Sequence, residues 1–147
     1  MNNIQRFIDA QKQNYEEAFL EIQQGYKRSH WMWYIFPQIH GLGSSQTSKF
    51  YAINSIDEVR DYLNNEYLYT NLINICEELL KLETNNPEEI FGEIDAMKLK
   101  SSMTLFSYIC NLDKRKVDIF YKVLDKYFNK VSDLKTITII HDDIYNN

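Results

Sequence analysis

Apolar residues recur at helical spacing along most of this chain. Between 3 and 24, Ile4, Ile8, Tyr15, Phe19 and Ile22 return at intervals of three, four and seven, with Gln, Glu and Lys on the opposite face. That pattern predicts an amphipathic helix, and Gly25 is placed to end it in a left-handed cap. The run Trp31 to Phe36 is apolar without alternation, so periodicity reads it equally as a buried strand or a short buried helix. Pro37 keeps Phe36 out of helical geometry and ends either one. Gly41-Leu42-Gly43-Ser44-Ser45 then reads as a loop.

Ser55-Ile56-Asp57-Glu58 is a capping box that launches a helix over Val59, Tyr62 and Leu63. Asn64-Asn65 breaks it. A longer helix is predicted over 66–82, with Leu68, Leu72, Ile75, Leu79 and Leu82 on one face. Pro87 suits the first turn of a short helix to Phe91, and Gly92 punctuates. Asp95 is a candidate cap for a helix carrying Met97, Ser101, Leu105 and Tyr108, and 114–128 reads as another with Val117, Phe120, Tyr121, Leu124 and Phe128 inward. Thr136 to Ile140 has strand propensity but no partner strand, and Ser132 or Asp133 offers a cap for a helix instead. Residues 141–147 read as a flexible tail. The expected architecture is all-α, a single domain over 1–147 of about six to eight helices around an aromatic-rich core.

Composition narrows the function classes. Aromatic residues make up 14% of the chain, and the net charge is −5. An acidic balance argues against a role in coating nucleic acid, which requires a basic face. No apolar run reaches membrane-spanning length and the first residues lack a signal-peptide core, so a cytoplasmic location and no membrane association are expected. Cys76 and Cys110 sit inside apolar helical patterns without metal-ligand spacing, which predicts two buried, reduced thiols. No cofactor motif and no metal site is expected: His30 and His40 lie ten apart without a carboxylate between them.

The unusual chemistry gathers in 27–45, KRSHWMWYIFPQIHGLGSS, which holds both tryptophans and two of the three histidines. His30 is either a general acid/base or an imidazole satisfied within the structure. Trp31 and Trp33 either stack on a planar ligand or pack in the core; they share a face in a strand and diverge by about 200° in a helix. Lys27 with Arg28, and Lys98 with Lys100 ahead of Ser101, Ser102 and Thr104, are two basic pairs. If they meet, they offer ammonium, guanidinium and hydroxyl donors to a phosphate or carboxylate; otherwise they are solvated helix faces. The glycine loop lacks the length and lysine of a phosphate-binding loop.

The blocks KRSHWMWYIFPQIHGLG and EEIFGEIDAMKLKSSMTLF, followed by a Phe-rich helix, resemble the domain of unknown function 1810 family from about Arg6 to Ile140. Some plant and fungal members of that family carry a calpastatin label. The resemblance implies a small all-helical cytoplasmic protein, with His30, Trp31, Trp33, Phe36, Pro37, Gln38, Gly41, Gly43, Lys98, Ser101, Ser102, Thr104 and Phe106 at motif positions. His40 departs from many members. Three functions follow as expectations. One is a pocket for an anionic, nucleotide-like, phosphate-bearing small molecule, with or without catalysis by His30. In it Lys27, Arg28, Lys98 and Lys100 hold charge, Trp31 or Trp33 stacks, and Gln38, Ser101 and Ser102 orient. The second is a protein-interaction module without such a pocket, and the third an aromatic block that serves only the core.

Overall fold

A computed structural model describes residues 2–146. Within them the chain folds into eight helices. These are α1 (Gln5–Gln23), α2 (Met32–Ile35), α3 (Gln46–Tyr51), α4 (Ile56–Asn64), α5 (Glu66–Lys81), α6 (Pro87–Leu112), α7 (Ile119–Phe128) and α8 (Leu134–Tyr145). One isolated parallel bridge, Ile39 to Ile53, ties the glycine loop to the end of α3. The expected all-α class holds, and the open choice at 31–36 resolves to a single helical turn.

The elements follow from local rules. Gly25, at φ +77°, closes α1: Tyr26 N–H reaches Glu21 O at 3.1 Å and Gly25 N–H reaches Ile22 O at 2.9 Å, the paired bonds of a Schellman cap. Ser55 Oγ accepts from Glu58 N at 3.1 Å and starts α4. Asn65 caps α5 through Leu68 N at 3.0 Å, and Asp133 caps α8 through Thr136 N at 3.0 Å. α3 escaped the sequence reading because none of its residues is buried, so no apolar period marks it; the Ser45 cap on Ser48 N, 3.0 Å, holds it.

α6 is two helical segments joined at Gly92, whose φ of 78° and ψ of 170° lie outside any helix. Asp95 falls within the second segment instead of capping it, and its carboxylate is used elsewhere. Gly92 sits in a backbone region essentially restricted to glycine, while the space where a Cβ would go is open. Gly92→Ala is therefore a purely torsional insult. It should cost about 1–3 kcal/mol and lower the melting temperature by about 3–8 °C, as read by thermal denaturation.

Two expected faces hold except at one residue each: Ser101 and Leu105 on α6 and Phe120 and Leu124 on α7 are buried as read, whereas Met97 and Tyr121 turn outward. Met97 and Tyr121 are 51% and 46% exposed, because the buried stripe of α6 runs through Leu99, Met103, Phe106 and Cys110 and that of α7 through Phe120, Val123, Leu124 and Tyr127. The helix expected from 114 begins only at Ile119. A second Schellman cap, with Lys114 left-handed at φ 56° and Arg115 N–H on Cys110 O at 2.8 Å, stops α6 and turns the chain first. Residues 141–145, expected to trail from the domain, continue α8. Tyr108 Oη to His141 Nε2 and His40 Nε2 to Asp143 Oδ2, both 2.8 Å, fasten that helix; Asn147 lies outside the described residues.

α5 and α7 pack together, with α1 and α6 against them. The interior is aromatic, as the composition predicted. Phe7 meets Tyr62 edge-on at 5.3 Å, Tyr62 meets Phe106 at 5.4 Å, and Phe106 meets Phe120 at 5.5 Å. Both cysteines are buried free thiols, and burial pushes each thiol's pKa up, Cys110 to about 11. No helix among the described residues is long and apolar enough to cross a membrane.

Candidate functional site

The two unusual sequence blocks meet. Lys27 N–H donates to Ile90 O at 2.8 Å, and Phe91 packs edge-on against both Trp31 and Phe36, with ring centroids 6.4 and 6.0 Å apart. The kink at Gly92 lets α6 pass this contact and then present Asp95 and Lys98 to the same place. Lys27 Nζ lies 2.8 Å from Asp95 Oδ2 and 5.0 Å from the Trp31 ring, while Lys98 Nζ lies 3.5 Å from Asp95 Oδ1 and 5.1 Å from the Trp33 ring. Two ammonium groups thus converge on one carboxylate, each over an indole face.

A buried acid organises the approach to this cluster. Glu21, on the last turns of α1, accepts from Arg28 N at 2.7 Å, Ser29 N at 3.0 Å, Ser29 Oγ at 2.6 Å and Trp31 Nε1 at 3.0 Å. Burial alone would raise its carboxyl pKa; the four donors, Ser29 Oγ foremost, outweigh burial and hold it down at about 2. Glu21 was invisible as a site residue in the sequence, where it is one more polar position on the outer face of α1. In the sequence Asp95 reads only as a helix cap. The one available signal was its spacing from Lys98, which places the two on one helix face.

The expected site residues distribute unevenly. Lys27, Trp31, Trp33 and Lys98 come together. Trp31 is 1% exposed, whereas Trp33 is half-buried with part of its ring outward, the divergence that a helical turn imposes. Gln38 shares a small crevice with Trp33, Leu42 and Tyr51, while its carbonyl holds Ile53 N–H at 2.9 Å. His30 is exposed beside Trp31, the one residue of 28–31 that Glu21 does not bind. Arg28 points away, to Gln24 Oε1 at 2.7 Å and over Tyr26. Lys100 is half-buried two positions from Lys98, on a diverging direction of the helix. Ser101 Oγ donates to Met97 O at 3.1 Å, and Ser102, 0% exposed, keeps its hydroxyl in the core without a hydrogen-bond partner among the described residues. Ser101 is buried as well, at 6% exposed, so both serines expected at the ligand site lie inside the fold and not on a surface. No group of three or more His, Cys, Asp or Glu among the described residues is placed to hold a metal ion.

None of the curated proteins matches this chain. Among solved structures, the crystal structure of the conserved hypothetical protein Rv1873 from Mycobacterium tuberculosis is similar, at 36% identity and a TM-score of 0.86 over 93% of this chain and 95% of that one. The family described as protein of unknown function (DUF1810) matches residues 1–140, nearly the whole chain, including both blocks that build the lysine cluster. The chain belongs to the DUF1810 family.

Proposed function

We propose that this protein binds a small anionic, nucleotide-like molecule where the 27–33 segment meets the second segment of α6. The observation that carries this reading is the convergence of Lys27 and Lys98 on Asp95. Two ammonium ions against one carboxylate leave one net positive charge; Lys27 Nζ also donates to Ser29 O at 2.5 Å, so the donors left for a ligand are chiefly those of Lys98. Asp95 then acts as an internal counterion that pre-positions both lysines, so an entering anion orders little on binding. Lys98 is the more accessible of the two, and the outward part of Trp33 beneath it supplies a stacking face. His30, exposed at the edge, is assigned the proton-transfer role.

A thermal-shift panel of nucleotides, sugar phosphates and short carboxylates tests this. A ligand at 100 times its dissociation constant adds about 2.7 kcal/mol of apparent stability. Lys98→Ala should weaken the hit at least tenfold, and Trp33→Ala should weaken nucleotides more than simple phosphates. His30→Ala should leave affinity and fold intact and stop ligand turnover followed by NMR. A hit indifferent to Lys98→Ala overturns the assignment. A second reading rests on Ile94 and Met97, both exposed on the turns beside Lys98, which suit a protein partner. An empty ligand panel together with a specific partner that Met97→Glu abolishes would favour it.

A further inference from the structure

A separate cleft of about 740 Å³ opens where the last turns of α6, the 113–118 turn, α7 and the start of α8 meet. Its volume lies in the range of ligand pockets, roughly 300–1,000 Å³. Its lining begins at Thr104, six positions and about 9 Å along the helix from Lys98, runs to Asn111, about 20 Å from it, and includes none of the lysine cluster's residues. We infer that it is a second binding site, for a phosphate-bearing molecule with a planar ring.

The inference rests on which donors are already committed. At the lysine cluster both ammonium groups are engaged by Asp95. In the cleft, Arg115 gives one nitrogen, Nη2, to Asn64 Oδ1 at 2.9 Å and keeps the rest of its fork. Lys116, Ser107, Asn111 and Ser132 line the same space with side chains that make no hydrogen bond or ion pair among the described residues. Of the carboxylates around the fork, Asp113 is held by Arg60 at 2.9 and 3.0 Å and also feels the Arg115 charge, Asp133 caps α8, and Asp118, which lines the cleft itself, pairs with Lys122 at 3.5 Å. A guanidinium that keeps most of its fork, beside an ammonium without an ion pair, places positive charge here in a chain of net charge −5, and a guanidinium fork with hydroxyl and amide donors suits phosphate oxygens. Tyr108 and Tyr121 add ring faces, the latter largely outward.

The walls are fixed before any ligand arrives. The Schellman turn at Lys114 sets the start of Arg115, with its N–H on Cys110 O. Thr104 Oγ1 accepts from Asp133 N at 2.9 Å and donates to Lys100 O at 2.8 Å, pinning the start of α8 to α6. A site built on rigid elements loses less freedom on binding.

The test is an amide-resolved NMR titration of the full chain with adenosine diphosphate and, separately, inorganic pyrophosphate. Amides of 107, 111, 115 and 116 should shift with both probes, with adenosine diphosphate binding at least ten times tighter. Arg115→Gln with Lys116→Gln should weaken both at least tenfold with an unchanged circular dichroism spectrum, while Tyr121→Ala should weaken only the nucleotide. Lys98→Ala should leave these shifts as they are, which separates this site from the lysine cluster. Shifts confined to 27–33 and 95–98, or binding indifferent to the double variant, would overturn the inference; equal affinity for both probes would overturn its planar-ring half.

Discussion

Glu58→Ala is expected to lower stability by about 3–5 kcal/mol, the range for stripping one partner from a buried ion pair. Glu58 is 0% exposed and receives the Arg6 guanidinium on both oxygens, at 2.8 and 3.0 Å. It also accepts from Asn3 N at 2.8 Å and Asn54 N at 3.0 Å. Arg6 in turn donates to the carbonyls of Phe50 and Ala52, both at 2.8 Å, and of Asn3. The pair therefore closes the start of α1, the end of α3 and the start of α4 into one polar knot. Alanine would leave a guanidinium buried without a counterion and two N–H groups without acceptors. The melting temperature should fall by about 10–15 °C. Arg60→Ala, at a partly exposed pair, is the control, with a loss of about 1 kcal/mol or less. If the two variants fall equally and little, the knot is not what holds these three elements.

Trp31→Ala should cost about 3–5 kcal/mol as a large-to-small change in the core. Trp31 packs against Phe36 and Phe91, carries Lys27 above its ring, and donates its indole N–H to Glu21. Trp33→Ala removes a half-buried ring and should cost far less stability, while it bears on ligand affinity. Trp31 also carries a pH signature through Glu21. The Glu21 carboxyl is held at about 2 in the folded state against an ordinary 4.5, so the stability it carries is complete above about pH 4.5 and is lost as pH falls from there toward 2. Trp31→Phe deletes one of its four hydrogen-bond donors, raises that carboxyl, and should flatten the acid limb of a stability–pH curve between those limits. Urea denaturation at a series of pH values measures both effects. Equal losses for Trp31→Ala and Trp33→Ala would show that the two rings share one environment, contrary to the structure.

Much of the fold was legible because it is locally encoded. The 3.6-residue period marks α1, α4 and α5, and short polar caps at Ser55 and Asp133 mark where two helices begin. Gly25 and Gly92 mark chain reversals that other residues resist. These signals act over four residues or fewer, so sequence carries them. α3 was missed for the converse reason: it buries nothing, and only the Ser45 cap announces it. The phases of Met97 and Tyr121 were misread because composition says that a face is apolar and not which neighbour covers it.

The site divides in the same way. Sequence alone pointed to residues 27–45 and the run from Lys98 to Thr104 as the chemically unusual stretches and supplied two basic pairs, two tryptophans and a histidine. Only the tertiary structure decided that Lys27 and Lys98 share Asp95, that Trp31 is core while Trp33 is half-buried, and that Ser101 and Ser102 lie inside. It alone turned Glu21, an ordinary acid on a helix face in the sequence, and Glu58, there only the acid of a capping box, into buried hubs. A carboxylate's role is set by the donors that surround it, and here those donors come from as far as 55 residues away, as Asn3 does for Glu58. Helical periodicity reports which way a side chain faces within its own helix; it holds no information about the charge that waits on the next one.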